Sequence, residues 1–177
     1  MNEEITPEYG QTFLERIQFW NAEDDFAERP IEERIPIQIY INTPGGDLVT
    51  TMMIVDMIKS SKTPVYTIVT GSAYSGGFFI SIAGHKRFGF THSSYLFHEG
   101  SACITGDAHK VNQYASYYKE ILLKQVKKHV LATTKISNEL YEKHKKDDWY
   151  LDAEKAKKLG IIDEINNDSN GGIYNEQ

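Results

Sequence analysis

Ser75 is the residue in this chain best placed to do chemistry. It lies in the stretch Val65-Tyr66-Thr67-Ile68-Val69-Thr70-Gly71-Ser72-Ala73-Tyr74-Ser75-Gly76-Gly77-Phe78-Phe79-Ile80. A β-branched run ends at Gly71, and Ser75 is followed at once by two glycines and an apolar run. That order predicts a strand, a tight turn and a helix, with Ser75 at the first turn of the helix. A hydroxyl there stands on a rigid corner at the positive end of a helix dipole, where oriented backbone N–H groups can meet developing negative charge. The same residue types also make an ordinary helix N-cap or a close helix–sheet contact. A second Gly-Gly, Gly45-Gly46, stands at another strand-to-helix junction. If neighbouring parallel strands bring both junctions to one sheet edge, their N–H groups can converge on an oxyanion. A serine nucleophile needs a base, and His98 ends the candidate strand Tyr95-Leu96-Phe97-His98, which leads to the same edge. The imidazole in turn needs an orienting acid, which sequence spacing does not select.

These groups must be held by the elements around them. Gln11 to Asn21 has the apolar pattern of a short amphipathic helix, and the charged stretch from Ala22 to Arg34 reads as a linker. Ile35 to Ile41 alternates and is β-branched, so a strand is expected there. Pro44 and the two glycines after it predict a tight turn, with Asp47 capping a helix over Leu48 to Ser60. Strand Val65 to Thr70 follows, then the Ser75 turn and a helix to Ala83-Gly84. Arg87 to Phe90 and Tyr95 to Phe97 are two more strands. A long helical pattern runs from Asp107 to Thr133, another from Ile136 to His144 with Ser137 as its cap, and a short one from Asp152 to Leu159 ended by Gly160. Ile161 to Ile165 is read as a final strand, and the polar residues beyond as a tail. Strands alternating with helices give an α/β fold with a mainly parallel sheet. The organisation expected is residues 1–34 as an N-terminal helix and charged linker, 35–165 as one domain, and 166–177 as a tail.

The composition narrows the function classes. With 177 residues, 40% hydrophobic, the chain suggests one domain with a sizeable core. A formal net charge of −6, with both signs interspersed, does not fit a basic nucleic-acid footprint. No apolar run reaches membrane-span length, and the acidic start lacks the pattern of a secretory signal. A single cysteine, Cys103, excludes an internal disulfide and a cysteine zinc cluster, and reads as a small core filler. His85, His92, His109, His129 and His144 lack metal-ligand spacing and read as solvated. No metal or cofactor is expected, and a cytoplasmic protein is. Tyr114, Tyr117 and Tyr118 read as helix packing.

Four segments, in order, resemble the proteolytic subunit of the Clp protease. They are Ile41-Asn42-Thr43-Pro44-Gly45-Gly46, Gly71 to Gly77 around Ser75, Leu96-Phe97-His98, and Asp148-Trp149-Tyr150-Leu151-Asp152-Ala153-Glu154-Lys155-Ala156 with Leu159-Gly160-Ile161-Ile162-Asp163. The resemblance covers Ile37 to Ile165. It implies a Clp/crotonase-like fold of repeated ββα units with a long protruding helix. It also implies a serine endopeptidase with a Ser75–His98–Asp148 triad and an oxyanion hole from the N–H groups of Gly46 and Gly76. Substrate would lie extended between Asp47-Leu48-Val49 and Glu99-Gly100-Ser101, with Leu48 and Gly100 as binding positions. The family assembles as stacked heptameric rings enclosing a chamber for unfolded polypeptide, with an AAA+ unfoldase as partner. Its long helix, here Val111 to Val130, forms the contact between rings.

The chain departs from that pattern in places. Thr12 to Trp20 matches the family's second helix, so the pore hairpin and first strand, which help dock the unfoldase, have no counterpart by this reading. Tyr74 and Gly76 flank Ser75 where the family usually has a small residue and methionine. Glu99-Gly100-Ser101-Ala102 lacks the family's Gln-Pro. Two other classes stay open: an inactive Clp-like ring or scaffold subunit, and a crotonase-like acyl-CoA enzyme, whose two-loop oxyanion hole the Gly-Gly turns fit equally.

Overall fold

The computed structural model describes residues 1–100 and 105–166. In chain order its elements are α1 (Pro7–Phe26), β1 (Ile37–Thr43), α2 (Leu48–Ser60), β2 (Val65–Tyr74), α3 (Gly76–Ser81), β3 (Lys86–Phe90), β4 (Ser94–Phe97), α4 (Ala108–Tyr117), α5 (Leu123–Thr133), α6 (Asn138–His144), β5 (Trp149–Asp152), α7 (Ala153–Lys158) and β6 (Glu164–Asn166). This is an α/β fold in which all strand pairs but one are parallel, as expected. Cys103 and Ser101, and the tail after Asn166, lie outside the described residues.

β2 organises the sheet. One side of it pairs with β1. The other side is shared: Tyr66 to Val69 pair with β3, and Ser72 to Tyr74 pair with β4. The change of partner is made possible by an irregularity in the β1–β2 ladder. Ile41 faces Val69 but Thr43 faces Ala73, so Asn42 alone stands opposite three residues of β2. The Asn42 amide oxygen fills that gap, accepting from the Ser72 backbone N–H at 3.0 Å and from its hydroxyl at 3.1 Å. A side chain thus supplies the bonds the ladder loses. For this reason β2 continues past Gly71 to Tyr74, four residues beyond the strand predicted from the β-branched run. β6 extends the sheet beyond β3, and β5 lies antiparallel outside β4.

The apolar faces of α2, α3, α5 and the sheet enclose the core. Ile41, Ile54, Val69, Phe78, Val126 and Val130 are fully buried there. Phe97 links its ring to Phe78, Tyr141 and Trp149, so the strand that leads into His98 is anchored by an aromatic cluster.

Several boundaries differ from the sequence expectation. The first helix begins at Pro7, capped by the Thr6 hydroxyl, and runs to Phe26. The stretch read as a linker is tied down: Asp24 is buried, accepting from Arg29 at 2.7 Å and from the Thr63 hydroxyl at 2.7 Å, while Arg34 binds Asp25. Charge density there marks an ion-pair network rather than a solvated segment. β1 starts at Ile37, since Pro36 has no N–H to donate to the sheet. The long helix forms, but with a π-turn at Tyr118–Leu122 between α4 and α5. α5 buries Val126, His129 and Val130, whereas α4 buries none of its residues. Ile161 does not start a strand. Its N–H bonds back to Ala156 O, and Gly160 N–H to Lys157 O, closing α7 before β6 begins at Glu164.

Residues 1–5 form no strand of their own, but they run beside the end of β1. The Met1 ammonium donates to Tyr40 O, Asn42 N–H to Met1 O, and the Thr43 hydroxyl to Glu3 O. Ile5 forms a parallel bridge with Gly46. Polar Asn2-Glu3-Glu4 hid this pairing, because the segment makes most of its bonds through backbone groups. Among the described residues no helix is long and apolar enough to cross a membrane.

Candidate active site

Ser75 occupies the corner between β2 and α3. Its N–H donates to Leu96 O at 3.0 Å, carrying the β2–β4 pairing one residue past Tyr74. Its C=O accepts from Phe78 N–H at 3.0 Å and opens the helix. These two demands force φ to +52° and ψ to −115°. Only Glu28 shares a positive φ among the described non-glycine residues. Such a conformation costs on the order of 1–3 kcal/mol and is held by the surrounding structure.

The other Gly-Gly turn lies directly against this corner. Gly45 has φ +101°, and a Cβ there would stand 2.7 Å from Tyr74 O and 2.8 Å from Ser75 Cβ. Gly46, at φ +153°, would drive a Cβ into the backbone oxygen of Ile5. Both positions therefore need glycine, and for packing as well as dihedral reasons. Asp47 caps α2 as expected, accepting from Thr50 N–H at 2.7 Å.

His98 and Asp148 are joined by the β4–β5 register. Leu96 faces Tyr150 and Phe97 faces Trp149, so one further step places His98 opposite Asp148. The His98 Nδ1 to Asp148 Oδ1 distance is 3.1 Å. A neutral imidazole that donates from Nδ1 to this carboxylate keeps its lone pair on Nε2. Nε2 is buried and is the one buried side-chain polar atom without a hydrogen-bond partner among the described residues. The His98 side chain is 23% exposed and Asp148 59%. Neighbouring Glu99 fixes the turn after β4: its N–H donates to Lys145 O at 2.9 Å, and its carboxylate accepts from the Tyr141 hydroxyl at 2.9 Å. Burial and the Glu99 carboxylate hold the Tyr141 phenol well above its ordinary range.

A cavity of about 450 Å³ brings these groups together: Ser75, His98, Gly46, Gly76, Leu48 and Gly100 all line it. No hydrogen bond joins Ser75 to His98 Nε2 across it. Asp148 stands behind His98 and does not line the cavity. Phe79, Tyr114 and Tyr118 also form its wall, and the sequence reading missed them as site residues. Tyr118 opens the π-turn and donates to Glu99 O at 3.3 Å. The (i, i+4) aromatic spacing of Tyr114 and Tyr118 was a usable signal, but it reads equally well as packing. Among the described residues no group of three or more His, Cys, Asp or Glu could hold a metal ion.

One histidine reverses its expected place. His129 is buried, with Nε2–H donating to Phe79 O at 2.9 Å and Nδ1 accepting from Lys59 at 2.9 Å. Burial lowers its pKa from 6.5 to about 4, against the Phe79 hydrogen bond and with help from the Lys59 charge. His144 stacks on Trp149 at 4.1 Å.

The model of the Clp protease family matches residues 26–169. The chain belongs to the Clp protease family. It is 34% identical over 132 residues to the ATP-dependent Clp protease proteolytic subunit 2 of Treponema denticola, covering 73% of this chain and 66% of that one. It is 32% identical, with the same coverage, to the ATP-dependent Clp protease proteolytic subunit 2 of Treponema pallidum. The chain thus spans just under two thirds of the length of these relatives. Membership makes the α/β fold that of the Clp protease, with its curled, mostly parallel sheet.

Proposed function

We propose that this Clp-family chain is a serine endopeptidase in which Ser75, His98 and Asp148 act as a triad. The observation that carries this reading is the His98–Asp148 pair at 3.1 Å, whose unpartnered, buried Nε2 belongs to a residue on the same cavity as Ser75. His98 Nε2 takes the Ser75 hydroxyl proton as Oγ attacks the scissile carbonyl carbon, giving a tetrahedral oxyanion. The N–H groups of Gly46 and Gly76 receive that oxyanion. The imidazolium, stabilised by Asp148, then returns the proton to the leaving amine as the C–N bond breaks. Water repeats the sequence on the acyl-enzyme and frees Ser75. The strained φ of Ser75 presents Oγ at a fixed corner, which fits a nucleophile better than a capping serine; its side chain makes no cap hydrogen bond to α3.

An extended polypeptide fits this reading as substrate, lying along Asp47-Leu48-Val49 on one side and Glu99-Gly100 on the other. Assembly into stacked rings around a chamber, a cytoplasmic location and partnership with an ATP-dependent unfoldase belong to the same proposal. The printed names of both relatives, ATP-dependent proteolytic subunits, support it. The largely unburied α4 is where a second ring would pack.

Labelling with a fluorophosphonate probe, alongside hydrolysis of a fluorogenic peptide, tests the proposal. The wild-type chain is expected to label and cleave. Ser75→Ala should abolish labelling and lower turnover by about 10³-fold or more. Equal labelling of both chains would refute the role of Ser75, and labelling without peptide cleavage would favour a non-proteolytic ring subunit.

A further inference from the structure

We infer that the N-terminal segment Met1–Ile5 positions the oxyanion hole, with Ile5 as the positioning residue that sets Gly46 against Gly76. The inference rests on the acyl-transfer reading of the cavity and adds to it a role for residues outside the cavity's reacting groups.

The geometry is specific. Ile5 N–H donates to Gly45 O at 2.8 Å, and Asp47 N–H donates to Ile5 O at 2.8 Å. In a parallel bridge these two bonds take the groups on either side of Gly46, so the Gly46 N–H itself points away from Ile5. Gly46 borders the cavity, so the side away from Ile5 is where an oxyanion donor is needed. The fit is close enough that any side chain at Gly46 would strike the Ile5 backbone. The Ile5 side chain reaches the other donor: its Cδ1 lies 3.1 Å from where a Gly76 Cβ would be. Thr51 completes the seat, its hydroxyl donating to Asp47 O at 2.7 Å while also abutting Gly76. Ile5 is 1% exposed, so water does not compete for either contact.

The rest of the segment fixes Ile5 in register. Met1 O accepts from Asn42 N–H at 2.8 Å, the Asn2 amide oxygen accepts from Asn42 Nδ2 at 2.6 Å, and Glu3 O accepts from the Thr43 hydroxyl. The same Thr43 oxygen accepts from Gly45 N–H at 3.2 Å. Without the segment, the Pro44–Asp47 turn keeps its glycines but loses the two backbone bonds that aim it. Gly45 and Gly46 could then visit other dihedrals at little cost. An oxyanion donor that is no longer preorganised loses much of its effect on turnover.

The test uses the full chain carrying Ile5→Pro, which removes the donor to Gly45 O, and Ile5→Ala, which keeps the backbone and removes the Gly76 contact. Peptide turnover is measured per site titrated with the fluorophosphonate probe, together with KM and the exchange rate of the Asp47 amide. A positioning role predicts that kcat per titrated site falls about tenfold or more in Ile5→Pro and about threefold in Ile5→Ala. KM should change much less than kcat, because donors to an oxyanion act mainly in the transition state. A merely structural role would lower the number of titrated sites and leave kcat per site unchanged, which overturns the inference. If Ile5→Pro does not fold, Ile5→Ala decides by the same criterion. If the wild-type chain neither labels nor cleaves, the peptidase reading fails, and exchange judges the clamp: an Asp47 amide as fast as an exposed one in wild type, or a protected one that keeps its rate in whichever Ile5 variant folds, refutes it, and a protected amide that speeds up in that variant supports it.

Discussion

The two halves of the proposed site are built in opposite ways. The nucleophile side is made of backbone: Ser75 at a strained φ, Gly76 buried under Thr51 and Ile5, and Gly45 and Gly46 wedged between Ile5 and the Ser75 corner. The base side is made of side chains at a sheet edge, with His98 23% exposed and Asp148 59%, joined by a single 3.1 Å contact. Backbone at the first half leaves no room for a side chain to be added. Exposure of Asp148 at the second leaves stability nearly indifferent to that side chain. The physical lesson is that one site can divide its dependence: the nucleophile half couples activity to folding, and the base half is chemistry with little structural weight.

Asp148→Asn is the sharpest way to break that comparison. It keeps shape at an exposed position but offers His98 Nδ1–H a poorer acceptor and admits the wrong tautomer. Turnover should fall by about 10³–10⁴-fold, while the midpoint of thermal unfolding corresponds to a change within about 0.5 kcal/mol. Peptide hydrolysis and calorimetry on the same preparation check both halves of the statement. A large loss of stability would mean that the β4–β5 edge carries more structural weight than its exposure implies.

Gly46→Ala tests the other half with a smaller effect on rate and a larger one on folding. The methyl group meets the Ile5 backbone, so either the turn or residues 1–5 must shift. Loss of one oxyanion donor lowers turnover by about 10²–10³-fold. Strain of this kind costs about 1–3 kcal/mol of stability as well. If turnover falls and the melting transition does not move, the coupling of activity to folding on this side is wrong.

The same division explains what could be read in the sequence. The α/β class, α2 from Leu48 to Ser60, and the two glycine turns follow from local period and turn chemistry, and the structure has them where expected. His98 was legible because it ends an apolar strand. Asp148 was not selected by spacing, since its partner is fixed by the register of β4 against β5, in which Phe97 faces Trp149 across 52 positions of chain.

 The separation along the chain is long, and no local signal carries it. Ile5 and Asn42 escaped for a related reason: their roles lie in backbone and amide hydrogen bonds to distant residues, which residue type does not announce. Tyr118 was visible as part of an aromatic group, but its place at the cavity depends on the π-turn. His129 read as solvated because a lone histidine among lysines usually is, and only the packing of α5 on α3 buries it.

His129 supplies the smallest effect and the last test of the comparison, since it lies beneath the nucleophile half through its bond to Phe79 O in α3. Its folded pKa is about 4, below the ordinary value of 6.5. The unfolded chain therefore binds this proton more readily than the folded one. The stability linked to neutral His129 is fully present above about pH 6.5 and is lost as pH falls towards 4, to a limit of about 3 kcal/mol. His129→Gln can still donate to Phe79 O and accept from Lys59, but it does not titrate. Thermal unfolding followed from pH 7.5 to pH 4 should show a steeper loss for the wild-type chain than for His129→Gln, with the two curves separating below about pH 6.5. Peptide turnover at pH 7.5 should be nearly equal in both, because the wild-type imidazole is already neutral there. Parallel stability curves would mean that His129 is hydrated in solution, and α3 would then rest on a softer base than the backbone-built half of the site requires.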